Sequence, residues 1–194
     1  IPYLQVEPGS TLLRITDLHK QFGGLHAVDG LSMQVKAGEV HALIGPNGSG
    51  KTTVLNVLSG IYKPTDGTIE FVGRPTRDLS PHRVAKLGLA RTFQLIRLFD
   101  SMSVLENVMV GAQQHPDRLK SRRQLEERAL VTLNFIGLLD RAYDRVSALP
   151  YGMQRKVEIA RAVAAGPLLL LLDEPAAGLN TQEKDELVEL LRKV

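Results

Sequence analysis

Short runs of aliphatic residues at 12–15 and 31–35 predict strands, and Gly23, Gly24 and Gly30 between them read as turn residues. Residues 1–9, with Pro2, Pro8 and Gly9, read as a loose lead-in. The apolar run 40–44 predicts a short buried strand that passes directly into a glycine-rich turn, with a helix at 52–58 after it. Apolar and polar residues alternate again at 68–72, a further strand entered through the turn Pro64-Thr65-Asp66-Gly67.

The period then lengthens. Ser80 caps a helix with Pro81 at its first position and Gly88 past its end. Ser103 and Glu106 have the spacing of a capping box ahead of Val108 and Met109. A longer helix is predicted from about Arg118 to Ile136, with Leu125, Ala129, Thr132, Leu133 and Ile136 on one face. Another covers 155–165 and stops at Gly166-Pro167. The five leucines 168–172 predict a strand buried on both faces, as central parallel strands are. Asn180 with Glu183 starts a last helix, which sets Leu187, Leu190, Leu191 and Val194 on one face. This order describes an α/β core with a β-rich edge and a helical insertion at roughly 95–150.

Composition narrows the class. The chain has 194 residues, 43% hydrophobic and 23% charged, which is ordinary globular usage and excludes a disordered tail, a collagen-like repeat and a membrane channel. A net charge of +3 is too small to indicate nucleic-acid binding. The absence of cysteine excludes disulfides and thiolate metal sites. No apolar stretch reaches the about 18 residues that cross a bilayer; the longest, 162–172, is broken by Gly166 and Pro167. The N-terminus lacks the pattern of a signal peptide and begins with Ile1, so the chain reads as a fragment. Arg118, Lys120, Arg122 and Arg123 form a basic stretch that an acidic partner could use. Glu126 and Glu127 at i+4 favour a solvated, salt-bridged helix face.

Gly45-Pro46-Asn47-Gly48-Ser49-Gly50-Lys51-Thr52, followed by Thr53, fits the phosphate-loop pattern in full and lies between a predicted strand and a predicted helix. Glycines let backbone N–H groups curl around a phosphate, and the helix N-terminus adds partial positive charge. Lys51 supplies a point charge for the outer phosphates, and the Thr52 hydroxyl suits Mg²⁺. Asp173 and Glu174 follow the leucine strand at its carboxyl end, where open α/β sheets bind ligands. Asp173 is expected to hold the metal of a bound nucleotide and Glu174 to polarise the attacking water. Tyr151 and Gly152 precede a helix some twenty residues before this acidic pair. There Gly152 allows close backbone approach, and the helix from about Gln154 aims its dipole at an anion.

The stretch Leu149-Pro-Tyr-Gly-Met-Gln-Arg-Lys-Val-Glu-Ile-Ala-Arg161 resembles the signature motif of ABC ATPases, and the resemblance then extends over nearly the whole chain from Leu12. It implies an α/β P-loop NTPase fold: a largely parallel mixed sheet, an N-terminal antiparallel β region and an inserted helical subdomain, incomplete at the C-terminus. A single ABC ATPase domain is expected over 1–194. In it, 10–94 is the β-rich and P-loop core, 95–150 the helical subdomain and 151–194 the signature helix, acidic strand and last helix. Gln94 resembles the Q-loop glutamine that senses Mg²⁺ and water. Phe22 falls where the family places an aromatic that stacks on adenine, and reads equally as a core phenylalanine at a strand end. The segments around Pro150, Gln94 and Asp173 resemble most the ATPase of branched-chain amino-acid importers.

There are departures from the family pattern. Asn180 replaces the usual D-loop aspartate, Met153 the glutamine that commonly follows the signature glycine, and Pro150 a common serine. A switch histidine is implied on a strand beyond Val194; His19, His26, His41, His82 and His115 all precede that point. Poor turnover, and a partly uncovered Leu187, Leu190 and Leu191 face, are expected of the chain as it stands. The resemblance implies an ATP- and Mg²⁺-dependent motor at the cytoplasmic face of the membrane. Its partners are permease subunits, a second ATPase subunit and, indirectly, a solute-binding protein, with no nucleic acid. Leu98, Phe99 and Met102 then face the permease or fill the insertion's core. Two other readings are a soluble ABC ATPase of DNA repair or translation, and a nucleotide-binding regulator. The distance from Thr52 to Leu149 leaves no room for a repair-type coiled coil, only one cassette is visible, and an intact Glu174 opposes a regulator without turnover.

Overall fold

The computed structural model describes residues 6–115, 119 and 121–194. Arg118 and Lys120, at the predicted helix start and in the basic stretch, lie outside the described residues. The chain divides into two compact units, one ending at Leu89 and the other running from Ala90 to Val194.

In the first unit β1 (Thr11–Phe22) and β2 (Leu25–Lys36) form an antiparallel hairpin around Gly23-Gly24. Helix α1 (Lys51–Leu58) buries Val54, Val57 and Leu58. β3 (Asp66–Phe71) pairs with β1 on its other edge, and the two-residue β4 (Arg74–Pro75) closes the sheet in the order β2-β1-β3-β4. Leu13, Ile15 and Leu18 on β1 join Ile69 and Phe71 on β3 in a buried set. Both hairpin strands outrun their apolar patterns, because the backbone ladder continues past the last apolar residue. Gly30 is not in a turn. It lies inside β2 with φ +71°, where the pairing shifts register between Leu18–Leu31 and Lys20–Val28, a bulge that suits a residue without Cβ. α2 (Pro81–Lys86) has Ser80 at its N-cap, Pro81 in its first turn and Gly88 beyond its end at φ +101°, as the sequence predicts.

The run 40–44 is corrected. It forms no strand, and Val40 and Ile44 are 85% and 88% exposed. Hydrophobic character alone does not bury a strand; a doubly buried strand needs layers packed against both of its faces. In its unit β1 is paired on both edges already, and no described strand takes up 40–44.

In the second unit β5 (Leu89–Arg91) leads into α3 (Val104–Ala112) and α4 (Arg122–Ile136). Two short 3-10 turns, Leu139–Arg141 and Val146–Ala148, precede α5 (Tyr151–Ala164). β6 (Leu169–Leu171) pairs with β5, and α6 (Thr181–Leu191) closes the unit. The helical core combines Val104 and Val108 of α3, Ala129 and Leu133 of α4, and Val157 and Ala160 of α5. Gly111 faces the backbone of Arg161 so closely that a Cβ there would strike the Arg161 carbonyl, which lets α3 and α5 approach. On α4, Ala129, Thr132, Leu133 and Ile136 are buried, with Leu125 packed against the core. Arg123 donates to Glu127 at 2.8 Å on an exposed face, as a solvated salt-bridged helix requires.

Four expectations change here. The leucine strand is three residues long and only Leu171 is buried; among the described residues β5 is its one ladder partner. α5 begins at Tyr151 rather than at 154 or 155, since Pro150 already holds the extended conformation of an N-cap (φ −55°, ψ 152°). Leu187 and Leu190 are buried in the helical core, so the face is covered there, while Leu191 packs against the core and stays partly exposed. Val194 is exposed, lying past the helix end.

Both predicted capping boxes form. Ser103 Oγ accepts the Glu106 N–H while Glu106 accepts the Ser103 N–H at 2.8 Å; Asn180 and Glu183 do the same for α6. Ser103→Ala removes one half of the first box. It is expected to cost about 1 kcal/mol, measured as a lower urea midpoint with an unchanged slope.

Candidate functional site

In the first unit the phosphate-loop residues 45–50 form turns that end in α1. Gly48 and Gly50 have φ of +83° and +86°, and Gly50 is the N-cap of α1. Gly50 also rests against β2: a Cβ there would strike the Ala27 carbonyl, so this position needs glycine on two counts. A Cβ on Gly45 would likewise crowd the Ser49 hydroxyl. Lys51 Nζ donates to the carbonyls of Gly45 and Pro46 at 2.8 Å each, which fixes the ammonium on the loop. Thr52 is exposed in the first turn of α1, with Thr53 beside it half-buried.

Phe22 ends β1 and is 42% exposed, so it is no core residue. Its ring meets Tyr62 edge-on at 5.2 Å between centroids, and Lys20 Nζ lies 4.7 Å from its centroid. Lys20 pairs across the hairpin with Val28, which with Ala27 supports Gly50. One hairpin therefore carries the exposed aromatic at its tip and braces the phosphate loop from its side.

In the second unit Gln94 Nε2 donates to Glu174 Oε2 at 3.0 Å, joining residues eighty positions apart. Glu174 is exposed, and its φ of +46° puts it in the left-handed region, which costs a non-glycine residue about 1–2 kcal/mol. Such strain persists where the surroundings over-determine a functional group. Asp173 differs from the expectation of a carboxylate open at the strand end. It forms a salt bridge with Arg91 at 3.0 Å, and both side chains are 5% exposed. β5 and β6 thus carry the ion pair at their ends, and the exposed catalytic candidates lie one residue on from Asp173 and three on from Arg91.

Tyr151 and Gly152 occupy the first turn of α5. Gly152 is buried, and a Cβ on it would strike the Glu183 carboxylate, so its close approach is to α6. The Tyr151 ring covers Gly178. Arg155, one turn on, is buried and reaches the backbone of Phe93 and Gln94. The sequence reading missed Arg91, Arg155, Lys20 and Tyr62. Only the i,i+3 spacing of Arg155 and Glu158 could have indicated a helical ion pair, and nothing in it says buried.

No helix among the described residues is long and apolar enough to cross a membrane. The family model described as ABC transporter matches residues 28–177. The chain is 43% identical to the high-affinity branched-chain amino acid transport ATP-binding protein LivG of Salmonella typhimurium (strain LT2), covering 94% of this chain and 76% of that one. Among solved structures, the ADP conformation of an ATP-binding cassette of an ABC transporter superposes with a TM-score of 0.84 at 30% identity, covering 94% of this chain and 76% of that one. A dimeric post-hydrolysis cassette bound to ADP and Pi gives a TM-score of 0.79 at 28% identity, covering 93% and 81%.

Proposed function

This chain belongs to the ABC transporter family, and we propose that it is the ATP-hydrolysing subunit of an importer of branched-chain amino acids, working at the cytoplasmic face of the membrane. The observation that carries the ATPase reading is the Gln94–Glu174 pair: an exposed carboxylate held at a strand end by a side-chain amide. The name of the LivG relative supports the solute class. The dimeric solved cassette supports a second ATPase subunit as partner; permease subunits and, through them, a solute-binding protein complete the assembly. The whole chain is one ATPase domain, divided at 10–94, 95–150 and 151–194.

Each residue has a part. In the loop 45–50 the backbone N–H groups of every residue but Pro46, with Lys51, Thr52 and Thr53, bind the ATP phosphates, and Phe22 stacks on adenine. Glu174 accepts a proton from the attacking water while Gln94 orients it. The first turn of α5 serves the phosphates of the partner subunit's nucleotide through the exposed Tyr151, with the buried Gly152 backing that turn against α6. Hard donors of the kind that would suit Mg²⁺ are the Thr52 hydroxyl in the first unit and, in the second, the Gln94 amide oxygen and the Asp173 carboxylate, which in this structure is paired with Arg91. The Gln94 nitrogen is spent on Glu174, so its oxygen is the end it offers to a cation. Mg²⁺ held by such donors would supply neutralisation of the charge on the phosphates.

The test is reconstitution of the full-length subunit with its permease in liposomes. Leucine-loaded binding protein is expected to raise ATP turnover severalfold and to drive leucine uptake, with isoleucine and valine competing. Turnover that ignores leucine and responds to a sugar or a basic amino acid would overturn the solute assignment and leave the ATPase reading standing.

A further inference from the structure

We infer that Arg155 is a positioning residue for ATP hydrolysis, a buried clamp through which the start of α5 sets the placement of Gln94 against Glu174. The inference rests on the proposed roles of Gln94 and Glu174.

Arg155 is 1% exposed, and no other side chain as large is as fully buried among the described residues. A guanidinium in a protein interior needs partners on every side. Nη1 donates to the Phe93 carbonyl at 2.9 Å and to Glu158 Oε2 at 2.6 Å. Nη2 donates to the Gln94 carbonyl at 2.9 Å and to the Tyr151 hydroxyl at 3.3 Å. Glu158, also 1% exposed, neutralises the charge, and its second oxygen receives the Phe93 N–H at 3.5 Å. The pair therefore reads the backbone of two consecutive residues, Phe93 and Gln94.

That backbone has no ladder of its own. β5 ends at Arg91, and Thr92 makes a last bond to the Leu171 carbonyl. Beyond it the chain runs without helix or strand to Ser103. The planar fork of an arginine spans two adjacent carbonyls in a fixed geometry that a lysine does not reproduce. The carbonyl of Gln94 is thus tied to α5 while its side chain is tied to Glu174.

Stability alone does not explain the arrangement. Buried ion pairs are often replaceable by apolar residues of similar volume without loss. Arg155 Nε is buried with no acceptor, which a device built for stability would avoid. The first turn of α5 holds Tyr151 and Gly152, and Tyr151 is itself a partner of Arg155. A shift of that turn on meeting an anion is transmitted along one helical turn to the backbone of Gln94.

The test is a cycle of variants in the full-length subunit. Arg155→Met/Glu158→Leu removes both charges together and is expected to keep the parent's thermal midpoint and KM for ATP while kcat falls about tenfold or more. Adding Gln94→Ala to that background is expected to cost little further, because both changes act through one group. A kcat within twofold of the parent, or losses that multiply in full with Gln94→Ala, would overturn the inference. Should the double variant not fold, Arg155→Lys keeps the charge and loses the fork; lower kcat at unchanged KM supports the clamp, and unchanged kcat overturns it. Glu174→Gln in parallel separates the two levels: if it turns over normally, the reading of the site itself is wrong rather than the clamp.

Discussion

Glu174→Gln is expected to abolish turnover while ATP still binds. The substitution keeps the shape of the side chain and its ability to meet Gln94, and removes only the carboxylate that we propose accepts a proton. General-base catalysis contributes about 10²–10⁴-fold, so kcat should fall by two orders of magnitude or more. The phosphate loop and Phe22 are untouched, so ATP affinity should hold. Unable to hydrolyse, the two-ATP dimer should accumulate, seen as a shift to twice the monomer mass in gel filtration with Mg-ATP. Turnover at the parent rate would remove Glu174 from its assigned role.

The second large effect is on binding. Lys51→Ala removes the ammonium that the structure fixes at the carbonyls of Gly45 and Pro46. Hydrogen bonds from a charged donor are worth about 1.5–3 kcal/mol, so ATP affinity should drop by roughly 10- to 100-fold. Calorimetry with Mg-ATP measures it, and circular dichroism checks that the fold persists. Equal affinity in parent and variant would show that the loop binds phosphate through its backbone alone.

The legible parts were those in which chemistry is spelled locally. Residues 45–52 announce a phosphate loop because positive φ and close backbone approach demand glycine at fixed places, and Gly50 shows both. Ser103 with Glu106 and Asn180 with Glu183 announce helix starts because each box is satisfied within four residues. The illegible parts depend on neighbours far along the chain. Val40 and Ile44 look buried in sequence, yet burial is decided by what the fold packs against them. Arg91 and Arg155 look like surface charges, and only the fold reveals Asp173 and the Phe93 carbonyl beside them. Gln94 and Glu174 were each identified, by resemblance and by strand-end chemistry; that one donates to the other appears only in the structure.

The left-handed backbone at Glu174 sets two selective pressures against each other. Glycine, or asparagine with its short side chain, holds φ near +46° with less strain than glutamate. Either would relieve the chain locally and delete the proposed proton acceptor. On the proposed role, a library sorted for heat resistance alone would drift towards inert proteins at this position, and a survey of stabilising substitutions would flag the proposed catalytic carboxylate as a flaw. With the role proposed for it, glutamate there marks a place where turnover outweighs comfort of the fold.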